Sequence, residues 1–241
     1  MNYWGLSDQG RIRESNQDSF IVVKNINGDF LAVVCDGIGG AKNGDWASAL
    51  VCQRLGESFQ DSGPFTSHQS ARKWLKAQID VVNAEIFQSS LLEADCQGMG
   101  TTVVTALIYK NGITVANCGD SRCYELNIEG FRQVSKDHTV VSTLIARGAL
   151  TEEQALKYPG RHILSKAIGV EKNAKLDFFA LDDENLVLLL CSDGLYTMVS
   201  DETIAKVLKK RINGVKKVKE LLEIANNKGG YDNITVILLE R

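Results

Sequence analysis

Residues 31–40 read Leu31-Ala32-Val33-Val34-Cys35-Asp36-Gly37-Ile38-Gly39-Gly40. An apolar run delivers one carboxylate, and the backbone then turns through three glycines. A run of about 4–8 apolar residues closed by turn signals reads as a buried strand. Asp36 is therefore expected at the edge of a core. Glycine lets a backbone approach a neighbour closely and leaves carbonyls free to point at it. A hard cation suits an oxygen-only site of this kind. Asp-Gly is also a common turn dipeptide, so this stretch alone reads first as a strand running into a solvated turn, and a cation site gains weight only from what recurs later in the chain.

Related constructions recur. Asp193-Gly194 closes the apolar run 186–191, and Asp120 follows Gly119 after the run 113–118. Asp232 follows Gly229 and Gly230 and leads into the run 234–239. Carboxylates at strand ends can converge on one rim of a sheet, where their repulsion is costly unless a cation intervenes. An all-oxygen set without paired His or Cys ligands favours Mg or Mn. Two such ions about 3.5–4 Å apart can activate a shared water for in-line attack on phosphorus. A phosphate substrate also calls for a guanidinium fork, which grips two oxygens at once. Arg13 lies in the polar segment 7–18, which the hairpin signal Asn27-Gly28-Asp29 folds back beside Asp36. An exposed surface arginine is the other reading of Arg13 at this point.

The rest of the chain frames these positions. Ala47, Leu50, Val51, Leu55 and Phe59 recur at helical spacing, as do Ala71, Trp74, Leu75, Ile79, Val82 and Ile86. Strands are expected over 19–23, 30–35, 103–109, 113–118, 123–127, 131–134, 176–181, 186–191 and 234–239. Two C-terminal helices are marked by Ile204, Val207 and Leu208, then by Val215, Val218, Leu222 and Ala225. Strands in succession with helices inserted in pairs predict an α+β fold rather than a doubly wound sheet. Segment 147–165, with a capping box at Thr151 and Gln154, reads as a flap with little to bury. No linker composition appears, so residues 1–241 are expected to form a single catalytic domain.

Composition removes several function classes. Of the 241 residues, 44% are hydrophobic and 24% charged, and the formal net charge is -3, so nothing suggests nucleic acid or a membrane surface. The longest apolar runs fall far short of a membrane span. Residues 1–8 have neither the charged nor the apolar region of a secretory signal. Cys35, Cys52, Cys96, Cys118, Cys123 and Cys191 form no Cys-x-x-Cys motif. Reduced thiols and a cytoplasmic location are expected.

With these motifs assembled, the chain resembles the metal-dependent Ser/Thr protein phosphatases of the 2C type, in their short bacterial form. The resemblance rests on Asp8-x-Gly10-x-x-Arg13-x-x-Asn16-Gln17-Asp18, Asp36-Gly37-Ile38-Gly39-Gly40, Gly100-Thr101-Thr102, Gly119-Asp120-Ser121-Arg122, Asp137-His138-Thr139, Ser192-Asp193-Gly194-Leu195 and Asp232-Asn233. It spans residues 8–233. It implies a four-layer α-β-β-α sandwich with a central pair of mainly antiparallel sheets, a flap insertion, and two or three Mn or Mg ions at one end. By this likeness Asp36 bridges two ions, with the Gly37 carbonyl on one, and Asp193 and Asp232 hold the other. Asp120 joins Asp193 at a third, and Asp18 acts through water. Asp36 and Arg13 are the expected catalytic pair, with Arg13 on the substrate phosphate, and Arg161 and His162 on the flap are candidates for substrate contact. Phosphorylated proteins are the implied substrates, a Ser/Thr kinase the implied counterpart, and a monomer the expected state.

Two positions depart from the family pattern. Many eukaryotic members carry a histidine, proposed as general acid, where Ile38 stands here. Gln17 occupies a position often held by Glu. His138 is expected to order a loop, and His68 to lie on the surface at a helix start. The competing functions are an inactive phosphatase-like regulatory module and a hydrolase of small phosphate esters.

Overall fold

The computed structural model describes residues 1–38, 43–92, 96, 98–181 and 187–241. Gly39, Gly40 and Leu186 lie outside them. The hairpin comes first: β2 (Asp18–Lys24) pairs antiparallel with β3 (Phe30–Ile38). Its turn is held by Asn25, whose Oδ1 accepts the Asn27 and Asp29 amides at 3.0 and 2.9 Å. Gly28 adopts φ 87°, a conformation that costs other residues.

Side-chain alternation along β3 sets the layering. Leu31, Val33 and Cys35 pack beneath α1 (Gly44–Gln60) and α2 (His68–Leu92), joined by Leu55, Phe59, Leu75 and Ile79. Ala32 and Val34 point the other way, into a layer shared with Val104, Ala106, Ile113 and Val115. That sheet runs β2-β3-β5-β6-β9, with β5 (Val103–Tyr109), β6 (Gly112–Cys118) and β9 (Asp177–Leu181); two-residue β4 (Gly100–Thr101) pairs antiparallel with the end of β3.

The second sheet runs β1-β11-β10-β7-β8, from β1 (Asn2–Asp8), β7 (Arg122–Asn127), β8 (Gly130–Gln133), β10 (Val187–Cys191) and β11 (Ile234–Glu240). Leu188, Leu190, Ile237 and Leu239 face the first sheet. Leu189, Cys191, Val236 and Leu238 face α6 (Asp201–Leu208) and α7 (Gly214–Asn227). Strands covered on both faces become continuous apolar runs, which is why 187–191 and 234–239 show no polar alternation. Full burial of each such side chain is worth about 1.5–3 kcal/mol. The architecture is the expected four-layer α-β-β-α sandwich, and every strand pairing among the described residues is antiparallel.

The register brings the motif-bearing strand ends to one rim. Asp18 lies opposite Asp36, Gly37 opposite Thr101, and Val103 opposite Cys118 in one sheet. Cys191 lies opposite Arg122 and Val236, and Asp8 opposite Ile234, in the other.

The glycines of the two Asp-Gly pairs have a reason of their own. A Cβ on Gly37 would strike the Gly44 carbonyl at the start of α1, and one on Gly194 would strike the Asn233 carbonyl. The close neighbour is thus the protein's own backbone. Beyond β10 the chain does not simply turn: α5 (Asp193–Tyr196) begins on the acidic residue itself, behind extended Ser192. Segment 147–165 follows α3 (Val140–Ala146), carries α4 (Glu152–Leu156) and is mostly exposed, with Ala155 buried. Its C-terminal end is tied down through Thr139 paired with Leu164 and the Ser165 amide bonded to the His138 carbonyl at 2.8 Å. All six cysteines are buried, and none forms a disulfide. Among the described residues no helix is long and apolar enough to cross a membrane.

Candidate metal and phosphate site

Asp18 and Asp36 are directly opposed across β2 and β3. Like charges in that relation destabilise a sheet. By alternation with Val34, Asp36 emerges at the polar end of the layer between the sheets. Its backbone is fixed from both sides: its amide donates to Thr102 Oγ1 at 2.9 Å, and its carbonyl accepts the Thr102 amide at 2.8 Å and Thr101 Oγ1 at 2.9 Å. The Gly100-Thr101-Thr102 motif therefore positions Asp36.

Asp18 is 8% exposed. Its Oδ2 accepts the Ser192 hydroxyl at 2.7 Å, a bond that links the two sheets, while its Oδ1 is buried and meets no donor. Asp193 Oδ1 is buried and unpartnered in the same way. Asp120 is 5% exposed, on the loop after β6. Tyr196 donates to the Asp120 carbonyl at 3.0 Å, and Arg122 stacks 3.5 Å above the Tyr196 ring centroid while pairing with Asp137 at 2.7 Å. Those residues brace the loop.

Asp232 Oδ2 accepts from Arg13 at 2.8 Å, and its Oδ1 accepts the Asn233 amide at 2.9 Å. Arg13, with 52% of its side chain exposed, thus meets the rim through Asp232. Its pKa is raised, chiefly by that hydrogen bond.

The electrostatics tie the carboxylates together. Burial pushes the Asp36 and Asp193 carboxyls well above the usual range. Asp18, Asp193, Asp120 and Asp232 add to it at Asp36, and Asp120, Asp232 and Asp18 at Asp193. Burial lifts Asp18 to about 6 against the Ser192 bond, and lifts Asp120 to about 7 with help from Asp137. Among the described residues no three Asp, Glu, His or Cys side chains close into a ready-made cage. Mutual repulsion opposes such a closure, and Arg13 already occupies Asp232. Two orphaned buried carboxylate oxygens in an all-oxygen donor set nevertheless suit a hard divalent cation.

His138 orders the Asp120 loop, in line with its reading from sequence. Its amide donates to the Gly119 carbonyl at 3.0 Å, and its Nδ1 accepts the Gly119 amide at 3.1 Å. The network assigns the ring proton to Nε2, 3.1 Å from Asp177. His68 opens α2 but is only partly exposed, and its Nδ1 meets Thr114 Oγ1 at 3.1 Å and Tyr109 Oη at 3.0 Å. Arg161 and His162 lie exposed on the flap, and neither is a leading influence on the carboxylates. Motif reading left Thr102, Ser192, Tyr196 and Asn233 without roles. Ser192 and Asn233 adjoin a rim aspartate in sequence, which is a usable signal, whereas Thr102 and Tyr196 adjoin none.

The pKa directions carry a prediction. An unfolded aspartate ionises near pH 4, whereas folded Asp18 and Asp120 keep their protons to about 6 and about 7. Between those limits the cation-free fold binds more protons than the unfolded chain, so this contribution to stability falls as pH rises. A divalent cation needs the ionised carboxylates and relieves their repulsion. The manganese-induced rise in Tm should therefore grow between about pH 5.5 and 7.5. Thermal melts with and without manganese measure it, and a pH-independent increment would detach these carboxylates from the metal.

A two-sheet sandwich whose rim gathers aspartates beside an arginine has the form of a metal-dependent phosphoester hydrolase. The family model described as Protein phosphatase 2C matches residues 11–229. The chain is 37% identical over 236 residues to Serine/threonine phosphatase stp of Listeria monocytogenes serotype 4b, covering 98% of this chain and 94% of that one. It is 34% identical over 235 residues to Protein phosphatase PhpP of Streptococcus pneumoniae, covering 97% and 95%. The crystal structure of Serine/threonine phosphatase Stp1 from Staphylococcus aureus superposes with a TM-score of 0.93 at 33% identity, over 99% of this chain and 94% of that one. The chain belongs to the protein phosphatase 2C family. It is a metal-dependent protein serine/threonine phosphatase.

Proposed function

We propose that residues 1–241 form one catalytic domain that hydrolyses phosphoserine and phosphothreonine in proteins with two or three Mn or Mg ions. The observation that carries the site assignment is the opposed pair Asp18 and Asp36, with orphaned buried oxygens on Asp18 and Asp193, beside Arg13. Asp36, with the Gly37 carbonyl, would bridge two ions; Asp193 and Asp232 would hold the second; Asp120 would join Asp193 at a third; Asp18 would act through water. When bound, the ions supply an activated water nucleophile and neutralise charge developing on the phosphoryl oxygens. Arg13 exchanges its contact with Asp232 for the substrate phosphate and orients it, a role its exposed guanidinium suits. Thr101 and Thr102 hold Asp36 rigid, and the sandwich end screens one side of the site from water. Ile38 cannot move a proton, so the leaving hydroxyl takes its proton from water or from His162 on the flap. Flap 147–165, with Arg161, meets the protein part of the substrate.

The substrates imply a Ser/Thr kinase that makes them. Six buried cysteines outside any disulfide support a reducing, cytoplasmic setting, and we take the chain to act as a monomer. An inactive regulatory module is disfavoured because every rim carboxylate is present. A phosphothreonine peptide and a small phosphate ester assayed side by side test the reading. Peptide hydrolysis should require manganese or magnesium, vanish with chelator and return on re-addition of metal. Hydrolysis that persists in chelator, or none with either metal, overturns it.

A further inference from the structure

Arg13 sits in residues 9–17, which form neither helix nor strand. A phosphate grip on such a segment needs its geometry imposed from outside, because small displacements of a binding group erode catalysis. One side chain imposes it. Asn233, 6% exposed at the entry to β11, donates from Nδ2 to the Gln9 carbonyl and to the Ser15 carbonyl, each at 2.9 Å. Its Oδ1 accepts the Gln17 amide at 2.9 Å. The two carbonyls and the amide fix the orientation of the group, since a flipped amide would set its oxygen against both carbonyls.

The contacts bracket Arg13 on either side. Inside the bracket, Gln9 Nε2 reaches the Arg13 carbonyl at 2.6 Å, and the Arg11 amide bonds to the Gly230 carbonyl at 2.7 Å. The backbone amide of Asn233 meanwhile holds Asp232 Oδ1, and Asp232 Oδ2 holds Arg13. One residue thus sets the Arg13 segment and the carboxylate that Arg13 faces in a common frame. Aspartate has the same shape but no donors, and would repel both carbonyls.

We propose that Asn233 is a positioning residue that holds Arg13 at the distance from Asp232 required to receive the substrate phosphate. The proposal rests on the reading of Arg13 as the phosphate grip. Steady-state kinetics on a small phosphate ester at saturating manganese test both, using Asn233→Asp, the charge-free control Asn233→Ala, Arg13→Ala and the Asn233→Asp/Arg13→Ala double variant. Both Asn233 variants should raise KM about ten- to hundredfold, with a smaller change in kcat. In the Arg13→Ala background Asn233→Asp should add almost nothing, because its effect runs through the missing guanidinium. Multiplicative effects, or an unchanged KM in the Asn233 variants beside a raised KM in Arg13→Ala, overturn the positioning role. An unchanged KM in Arg13→Ala overturns the phosphate reading itself and this proposal with it. Should the Asn233 variants fail to fold, hydrogen exchange on the native protein decides. The Gln17 amide should be protected as strongly as the amides of β2, and exchange at the rate of a free loop overturns the clamp.

Discussion

Asp193→Asn is expected to abolish manganese-dependent hydrolysis of a phosphothreonine peptide, lowering the rate by at least about 10²-fold, since even partners one step removed from a metal are worth 10–100-fold. The substitution keeps the shape of the side chain and removes the charge. Asp193 Oδ1 is buried without a donor, and its carboxyl resists ionisation through burial, Asp120, Asp232 and Asp18. A group so placed burdens the empty fold and has value only when a cation is present. Stability should therefore move opposite to activity: without metal, Asp193→Asn should melt no lower than the native protein, while its manganese-induced rise in Tm shrinks. Rates and melts on the same preparation separate a lost ligand from a damaged fold. An unchanged rate in Asp193→Asn would mean that the metal assignment is wrong.

Arg13→Ala should raise KM for small phosphate esters about ten- to hundredfold, because a charge-assisted, two-pronged contact with phosphate is lost. Arg13→Lys should recover only part, since an ammonium cannot present two parallel donors. The ion pair of Arg13 with Asp232 is half exposed, and pairs of that kind contribute little to stability, so Tm should barely change. A large KM effect without a stability effect marks a substrate contact. An unchanged KM would remove Arg13 from phosphate binding and leave it a surface partner of Asp232.

The pairing of Arg13 with Asp232 also explains why Arg13 was ambiguous in the sequence. Its partner lies 219 residues away, and no local pattern announces it. Ser192 is a similar case. Beside Asp193 it reads as part of a motif, yet its hydroxyl serves Asp18 in the opposite sheet. The Asp-Gly dipeptides suggested close approach correctly, but the neighbour they approach, Gly44 for Gly37 and Asn233 for Gly194, is set by packing.

What the sequence determined by itself is local and periodic. The apolar run in residues 31–35, the stripes of α1 and α2, and the acidic residues at the ends of several strands follow from side chains within a few positions of one another. The hairpin turn then carries Asp18 opposite Asp36 through strand register. Only the tertiary structure decided how Asp193, Asp232 and Asp120 share a field with that pair, and how Asn233, set beside Gln9 by the β1–β11 register, also reaches Ser15 and Gln17 at the entry to the opposite sheet. Those relations depend on two sheets stacking at one angle and one offset. Stacking is set by the summed packing of Ala32, Val34, Leu190, Ile237 and their neighbours, a collective property that no short stretch of chain encodes.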